Sequence, residues 1–152
     1  MDIRASLQCD EDGFLSRECP TCLGRFKAPI KDGTVIGRFC PYCGHEGEGC
    51  WWTPQQLDYM RALALGAIKP QLDAAFEGLE RSGGLISISV ERSSPEPAVV
   101  PVEPPGSEVR QQCEQCLAEL KLETARLRTV TDATAPFTCI ECGNPQEVVE
   151  GT

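Results

Sequence analysis

Four C-x-x-C pairs constrain this chain more than any other feature. Cysteines stand at positions 9, 19, 22, 40, 43, 50, 113, 116, 139 and 142, and eight of them form CPTC (19–22), CPYC (40–43), CEQC (113–116) and CIEC (139–142). The pairs are grouped two and two, as C-x2-C-x17-C-x2-C and C-x2-C-x22-C-x2-C. Two residues between thiolates let one tight turn aim both sulfurs at a single ion, and two such turns complete a tetrahedron at roughly 2.3 Å per bond. The sites expected from this spacing are Cys19, Cys22, Cys40 and Cys43, and Cys113, Cys116, Cys139 and Cys142. Gly44 and Gly143 follow the second pair of each quartet, where positive φ turns backbone N–H groups toward sulfur. Gly24 stands two residues after Cys22, and Ala118 takes the matching place after Cys116. The third knuckle is therefore expected to turn less ideally than the first.

Two other uses of cysteine compete with metal. A disulfide framework needs an oxidising compartment, and MDIRASLQCDEDGF has neither the basic start nor the apolar stretch of an export signal. A redox C-x-x-C wants one pair opening a helix, whereas here four lie in turn-rich stretches. Two zinc ions per chain are the cofactors expected, although four sulfurs alone leave iron open. Closed four-sulfur coordination is structural, because a catalytic zinc keeps one position for water. Pieces of roughly 30 residues bury too little apolar surface to fold without such a clamp. Cys9, Cys50 and His45 are left over and read as two ordinary thiols and a surface histidine.

Between the quartets the pattern changes. Thr53 caps a helix that Pro54 opens, with Gln56 completing a capping box and Trp52 placed to staple onto Leu57. Leu57, Met60, Ala64, Ile68, Leu72, Phe76 and Leu79 recur at helical spacing and form one face over about 53–81. Gly66 and Pro70 fall inside, so a kink or break is expected there. LISISV (85–90) alternates as a strand. Residues 93–109 are acidic and rich in proline and read as a linker. In the first ribbon, LGRFKAPI and TVIGRF flank KDG (31–33) as a hairpin, with Pro29 suited to an edge. In the second, LAELKLETARL is an arm that also permits a helical turn.

The fold expected is a small α+β, metal-stabilised protein. Its parts are an N-terminal ribbon (1–50), a helix plus strand (51–92), an acidic linker (93–109) and a C-terminal ribbon (110–152). CPTC…CPYCG and CEQC…CIECG resemble the zinc-ribbon superfamily with its rubredoxin-like four-cysteine knuckles. The order ribbon, WTPQQ helix, GGLISIS strand, proline linker and ribbon is also similar to small bacterial proteins with two zinc ribbons. The superfamily resemblance implies zinc on both quartets. Its members include transcription factors, ribosomal proteins, polymerase subunits and protein-interaction adaptors.

Net charge is −9, the wrong sign for a general nucleic-acid binder. Only residues 17–44 are locally basic, and Arg25, Lys27, Lys31 and Arg38, with Arg17 nearby, are the candidate nucleic-acid contacts. Phe26 or Trp52 would stack on bases. No phosphate loop, G-x-S-x-G or H-E-x-x-H is present, so an enzyme is not expected. Zinc-thiolate redox switching is the least unfavourable catalytic role. No run of 18 apolar residues predicts a membrane span. The function expected is a cytoplasmic, non-catalytic zinc-binding module, an adaptor or accessory subunit that meets a protein partner or itself through the helix face. The alternative is nucleic-acid binding by the basic ribbon.

Overall fold

The computed structural model describes residues 3–47, 51–81, 97–102, 106–127 and 135–149. The chain divides into two compact units, Leu7–Thr53 with Val102–Thr152, and Pro54–Pro101 with Met1–Ser6. Both quartets lie in the first unit. Residues 7–50 and 110–152 of the two segments read above as separate ribbons thus lie in one body.

That body is built on two hairpins, each folded about a knuckle. Strands β1 (Phe14–Glu18) and β2 (Arg25–Lys31) flank CPTC, and β4 (Glu108–Gln112) and β5 (Glu119–Glu123) flank CEQC. β1 and β4 were not expected, since residues 93–109 were read as linker and no strand was read before Cys19. Their patterns, FLSRE and EVRQQ, are short and charged and resemble coil until the partner strand is known. β2 pairs antiparallel with β5 at Phe26↔Leu122 and Lys27↔Lys121, so the hairpins fuse into one sheet of order β1-β2-β5-β4. A short β3 (Thr34–Val35) returns along β2 through Asp32 and Gly33, both at positive φ, as the KDG signal predicts. Pro29 is in the central strand β2 and not at an edge; it lies beyond the last residue paired to β5, and there β1 supplies the neighbour.

The sheet is an internal two-fold repeat. Every pair of the first hairpin, from Phe14↔Pro29 to Glu18↔Arg25, maps onto Glu108↔Glu123 to Gln112↔Glu119 when 94 is added to each number. The same offset takes Lys27 to Lys121, and these two residues face each other across the β2–β5 seam. The pseudo-axis runs between them.

After β3 and after α2 (Thr124–Leu127) the chain forms the second knuckles. One carries the bridge Phe39↔Glu46; the other carries β6 (Phe137–Thr138) paired with β7 (Pro145–Gln146). These match with an offset of 99, and they interlock reciprocally: Phe39 N–H donates to the Ile140 carbonyl (3.0 Å), and Thr138 N–H to the Pro41 carbonyl (2.8 Å). Phe26, Ala28, Trp51, Leu120, Leu122, Leu127, Phe137 and Ile140 form one buried cluster with Cys19 and Cys40. Each large apolar side chain in it contributes about 1.5–3 kcal/mol. The core is therefore shared by both ends of the sequence.

In the other unit, α1 runs Pro54–Arg81 as one continuous helix that includes Gly66 and Pro70. It begins at the expected proline and is not divided into two helices. Among its described side chains only Gln56 and Tyr59 are buried. The expected strand at 85–90 lies outside the described residues, as do residues 93–96 and 103–105 of the proline-rich stretch; residues 97–102 have no regular structure.

Candidate metal centres

The eight expected sulfurs gather into two groups, Cys19/Cys22/Cys40/Cys43 and Cys113/Cys116/Cys139/Cys142, and within each group all four lie within 4.8 Å of one another. The nearest separations are Cys19–Cys43 3.7 Å, Cys22–Cys40 3.6 Å, Cys113–Cys142 3.7 Å and Cys116–Cys139 3.4 Å. A disulfide requires about 2.05 Å, and none of the nine described cysteines is in one. A tetrahedron with bonds of roughly 2.3 Å has edges of about 3.8 Å. The sulfurs are thus spaced for one four-coordinate ion each, with all four positions taken by thiolate.

The knuckle backbones explain how the sequence achieves this. In the first pair of each quartet, Cys19 N–H donates to Gly24 C=O and Leu23 N–H to Cys19 C=O; Cys113 with Ala118, and Leu117 with Cys113, repeat the two bonds at 2.8 and 2.9 Å. In the second pairs, Cys40 N–H meets His45 C=O at 2.8 Å and Cys139 N–H meets Asn144 C=O at 2.9 Å. The residue after each C-x-x-C takes positive φ: Leu23 56°, Leu117 62°, Gly44 70° and Gly143 73°. The expectation that Ala118 spoils the third knuckle is therefore wrong. The left-handed position is 117, and both first knuckles place leucine there. Gly24 serves packing instead, because a Cβ there would lie 2.5 Å from the Tyr42 ring. The position matching Tyr42 in the second ribbon is Glu141, so Ala118 fits and is buried.

The thiols differ in environment. Burial pushes Cys40 up, and pushes Cys139 up to about 12. Burial also acts on Cys19, but N–H groups of Cys22 and Thr21 outweigh it and lower that thiol. The N–H of Asn144 brings Cys142 down to about 7. In both groups the first cysteine of each pair is buried, and Cys43 and Cys116 mark the exposed rims.

Two side chains that sequence reasoning passed over tie the ribbons together. Tyr42, from CPYC, donates to Arg25 C=O at 2.6 Å and accepts from Glu123 N–H at 2.9 Å, bridging β2 and β5. Being the one aromatic residue within any of the four C-x-x-C motifs was its only signal. Asp10 accepts N–H bonds from Asp12 and Phe14, and it takes both dyad lysines, Lys121 at 2.7 Å and Lys27 at 3.4 Å. Asp12 adds a bond to Lys121, and Glu108 one to Lys27 at 3.1 Å. Lys121 overcomes the effect of burial to hold Asp10 below its ordinary value, and the two aspartates hold Lys121 above its own.

The candidate nucleic-acid residues are largely occupied within the fold. Arg25 pairs with Glu18 at 2.8 Å, Arg38 with Glu46, and Lys27 is buried among carboxylates. Arg17 is buried, its guanidinium 4.8 Å from the Trp52 ring centroid. Lys31 is exposed. Phe26 is buried edge-on to Trp51 and offers no face for a base. His45 stands outside both sulfur groups, its exposed ring near Trp51. Cys9 is half-buried and Cys50 lies outside the described residues. On the predicted helix face, Leu57, Ile68, Leu72 and Phe76 are exposed, Met60 and Ala64 half-buried, and the Leu79 side chain is outside the described set.

Comparison with protein-family models, with curated proteins and with solved structures finds no match to this chain. The geometry by itself is that of a zinc-ribbon-like arrangement with two four-cysteine clusters able to hold a metal ion. No described helix is long and apolar enough to cross a membrane.

Proposed function

We propose that this chain is a two-zinc, non-catalytic interaction module, an adaptor or accessory subunit of a larger assembly. The supporting observation is the closure of both clusters: four thiolates at 3.4–3.7 Å nearest spacing leave an ion no position for water or substrate. Zinc is favoured over iron because its role here is to hold a small fold, and it needs no electron partner for that. Eight reduced thiols call for a reducing compartment, the cytoplasm. The contact surface is the α1 face with exposed Leu57, Ile68, Leu72 and Phe76, taken by a protein partner or a second copy.

Native mass spectrometry of the purified chain under reducing conditions tests the metal. Two zinc ions per chain are expected; iron, or an absence of metal with disulfides, would overturn the reading. Light scattering and a pull-down, each with Leu72→Asp and Phe76→Asp beside the parent, test the surface. Loss of a complex or of self-association is expected on substitution. Identical behaviour of parent and variants would remove the helix from the proposal.

A further inference from the structure

Resting on the reading of both clusters as metal sites, we infer that the two sites load as a coupled pair, so that an ion in one raises the affinity of the other. The ribbons do not fold as neighbours that merely touch. β2 and β5 share a seam through the centre of the sheet, at Phe26↔Leu122 and Lys27↔Lys121. The second knuckles exchange the bonds Phe39 N–H to Ile140 C=O and Thr138 N–H to Pro41 C=O. Their side chains exchange places as well: Phe39 closes on Gly143 and Thr138 on Gly44, residues related by the same offset.

Those contacts join ligand to ligand along short stretches of chain. Pro41 lies next to Cys40, and Ile140 next to Cys139, so each second knuckle is held in place by the backbone of the other. Arg126 of the second ribbon also donates to the carbonyls of Cys22 (3.4 Å) and Leu23 (3.3 Å) in the first knuckle. Tyr42 closes the loop between Arg25 and Glu123.

Apolar packing couples the ribbons in the same direction. Cys19 and Cys40 share one buried cluster with Leu120, Leu122, Phe137 and Ile140 of the other ribbon. A chain with one ribbon clamped and the other loose loses that cover, and it leaves the seam of β2 unpaired. Metal binding in small sites of this kind is folding free energy. Ordering one ribbon therefore lowers the ordering cost that the second ion must meet, and by linkage the effect is mutual.

The test is a zinc titration of the full chain against a competing chelator, under reductant, read by native mass spectrometry. Three proteins are compared: the parent, Cys113→Ser/Cys116→Ser, and Cys19→Ser/Cys22→Ser. The overall two-zinc constant of the parent should exceed the product of the two single-site constants by about tenfold or more. That ratio holds whether or not the sites differ in intrinsic affinity. Failure of a single-site variant to hold zinc at all is the same coupling at its limit. A ratio of one overturns the inference while leaving two zinc sites standing, whereas a parent that binds no zinc overturns the reading beneath it.

Ile140→Ala, which keeps all eight thiols, separates coupling from ligand loss. It should bring the one-zinc species up toward the distribution of independent sites, or else cost both ions together. An unchanged stepwise distribution would remove the interlocked knuckles as the route.

Discussion

The two ribbons of the sheet share a backbone and differ in what packs on it. Hydrogen-bond pattern, strand register and the left-handed residue after each C-x-x-C are repeated from one to the other. Their surroundings are not. β1 is buried over four of its five residues, while β4 is buried only at Gln111. Tyr42 stands over Gly24 in the first ribbon, and Glu141 and Ala118 replace them in the second. Each C-x-x-C knuckle thus needs two sulfurs and one following residue tolerant of positive φ, and leucine serves where glycine does not stand. Everything else is free to specialise for tertiary contact.

The largest effect that would break this equivalence is loss of a buried cluster cysteine. On the two-zinc reading, Cys40→Ser should release the ion of its own cluster, weaken hold on the other and destabilise the shared unit, since a structural metal of this kind carries on the order of 10 kcal/mol or more of folding free energy. Metal content and far-UV circular dichroism would check it. Cys116→Ser, on an exposed rim, should lose an ion with less collapse, because burial there is smaller. Equal unfolding by the two would show that position on the rim is irrelevant.

Gly24→Ala and Ala118→Gly sharpen the contrast. The first drives a methyl into the Tyr42 ring and should cost about 1–3 kcal/mol in chemical denaturation of the metal-loaded protein. The second removes only a buried methyl and should cost about 1 kcal/mol. The double variant Gly24→Ala/Tyr42→Ala should recover part of the first loss relative to the sum of the singles.

Asp10→Asn removes the carboxylate that both dyad lysines share and leaves like charges facing across the seam. A loss of about 1–2 kcal/mol is expected at neutral pH. The sign with pH follows from the shifts. Asp10 is held below 3.8 in the fold, so its contribution is complete above that value and fades as pH falls through the lowered one. Lys121 is held above 10.5, so its share is complete below 10.5 and fades as pH rises through the raised value. The parent–variant difference should stay flat between these limits. A difference that grows on acidification would contradict the assignment.

Tyr42→Phe should likewise have a small effect, about 1–2 kcal/mol, from loss of the bonds to Arg25 and Glu123 with the ring retained. Denaturant midpoints at fixed metal loading would measure it.

Local chemistry was legible without coordinates. Cysteine spacing identifies the two sulfur clusters because the geometry of a knuckle is confined to a few residues. Lys-Asp-Gly marks the β2–β3 turn for the same reason, and Thr-Pro opens α1 at Pro54. The LETARL segment, which allowed either a strand or a turn of helix, contributes to both as β5 passes into α2. By contrast, FLSRE and EVRQQ carry no strong strand signal of their own. They become strands because the hairpin partner satisfies their N–H and C=O groups.

The sequence by itself determined which sulfurs cluster, that Gly44 and Gly143 turn left-handed after their pairs and where the long helix begins, since each depends on contacts a few residues apart. Only the tertiary structure decided that two ribbons about 94 residues apart become one sheet around a pseudo-axis at Lys27 and Lys121. It also decided that Asp10, Tyr42 and Ile140 hold them there. Those roles rest on pairings between distant segments, which loop-closure entropy leaves unspecified until the shared core is formed.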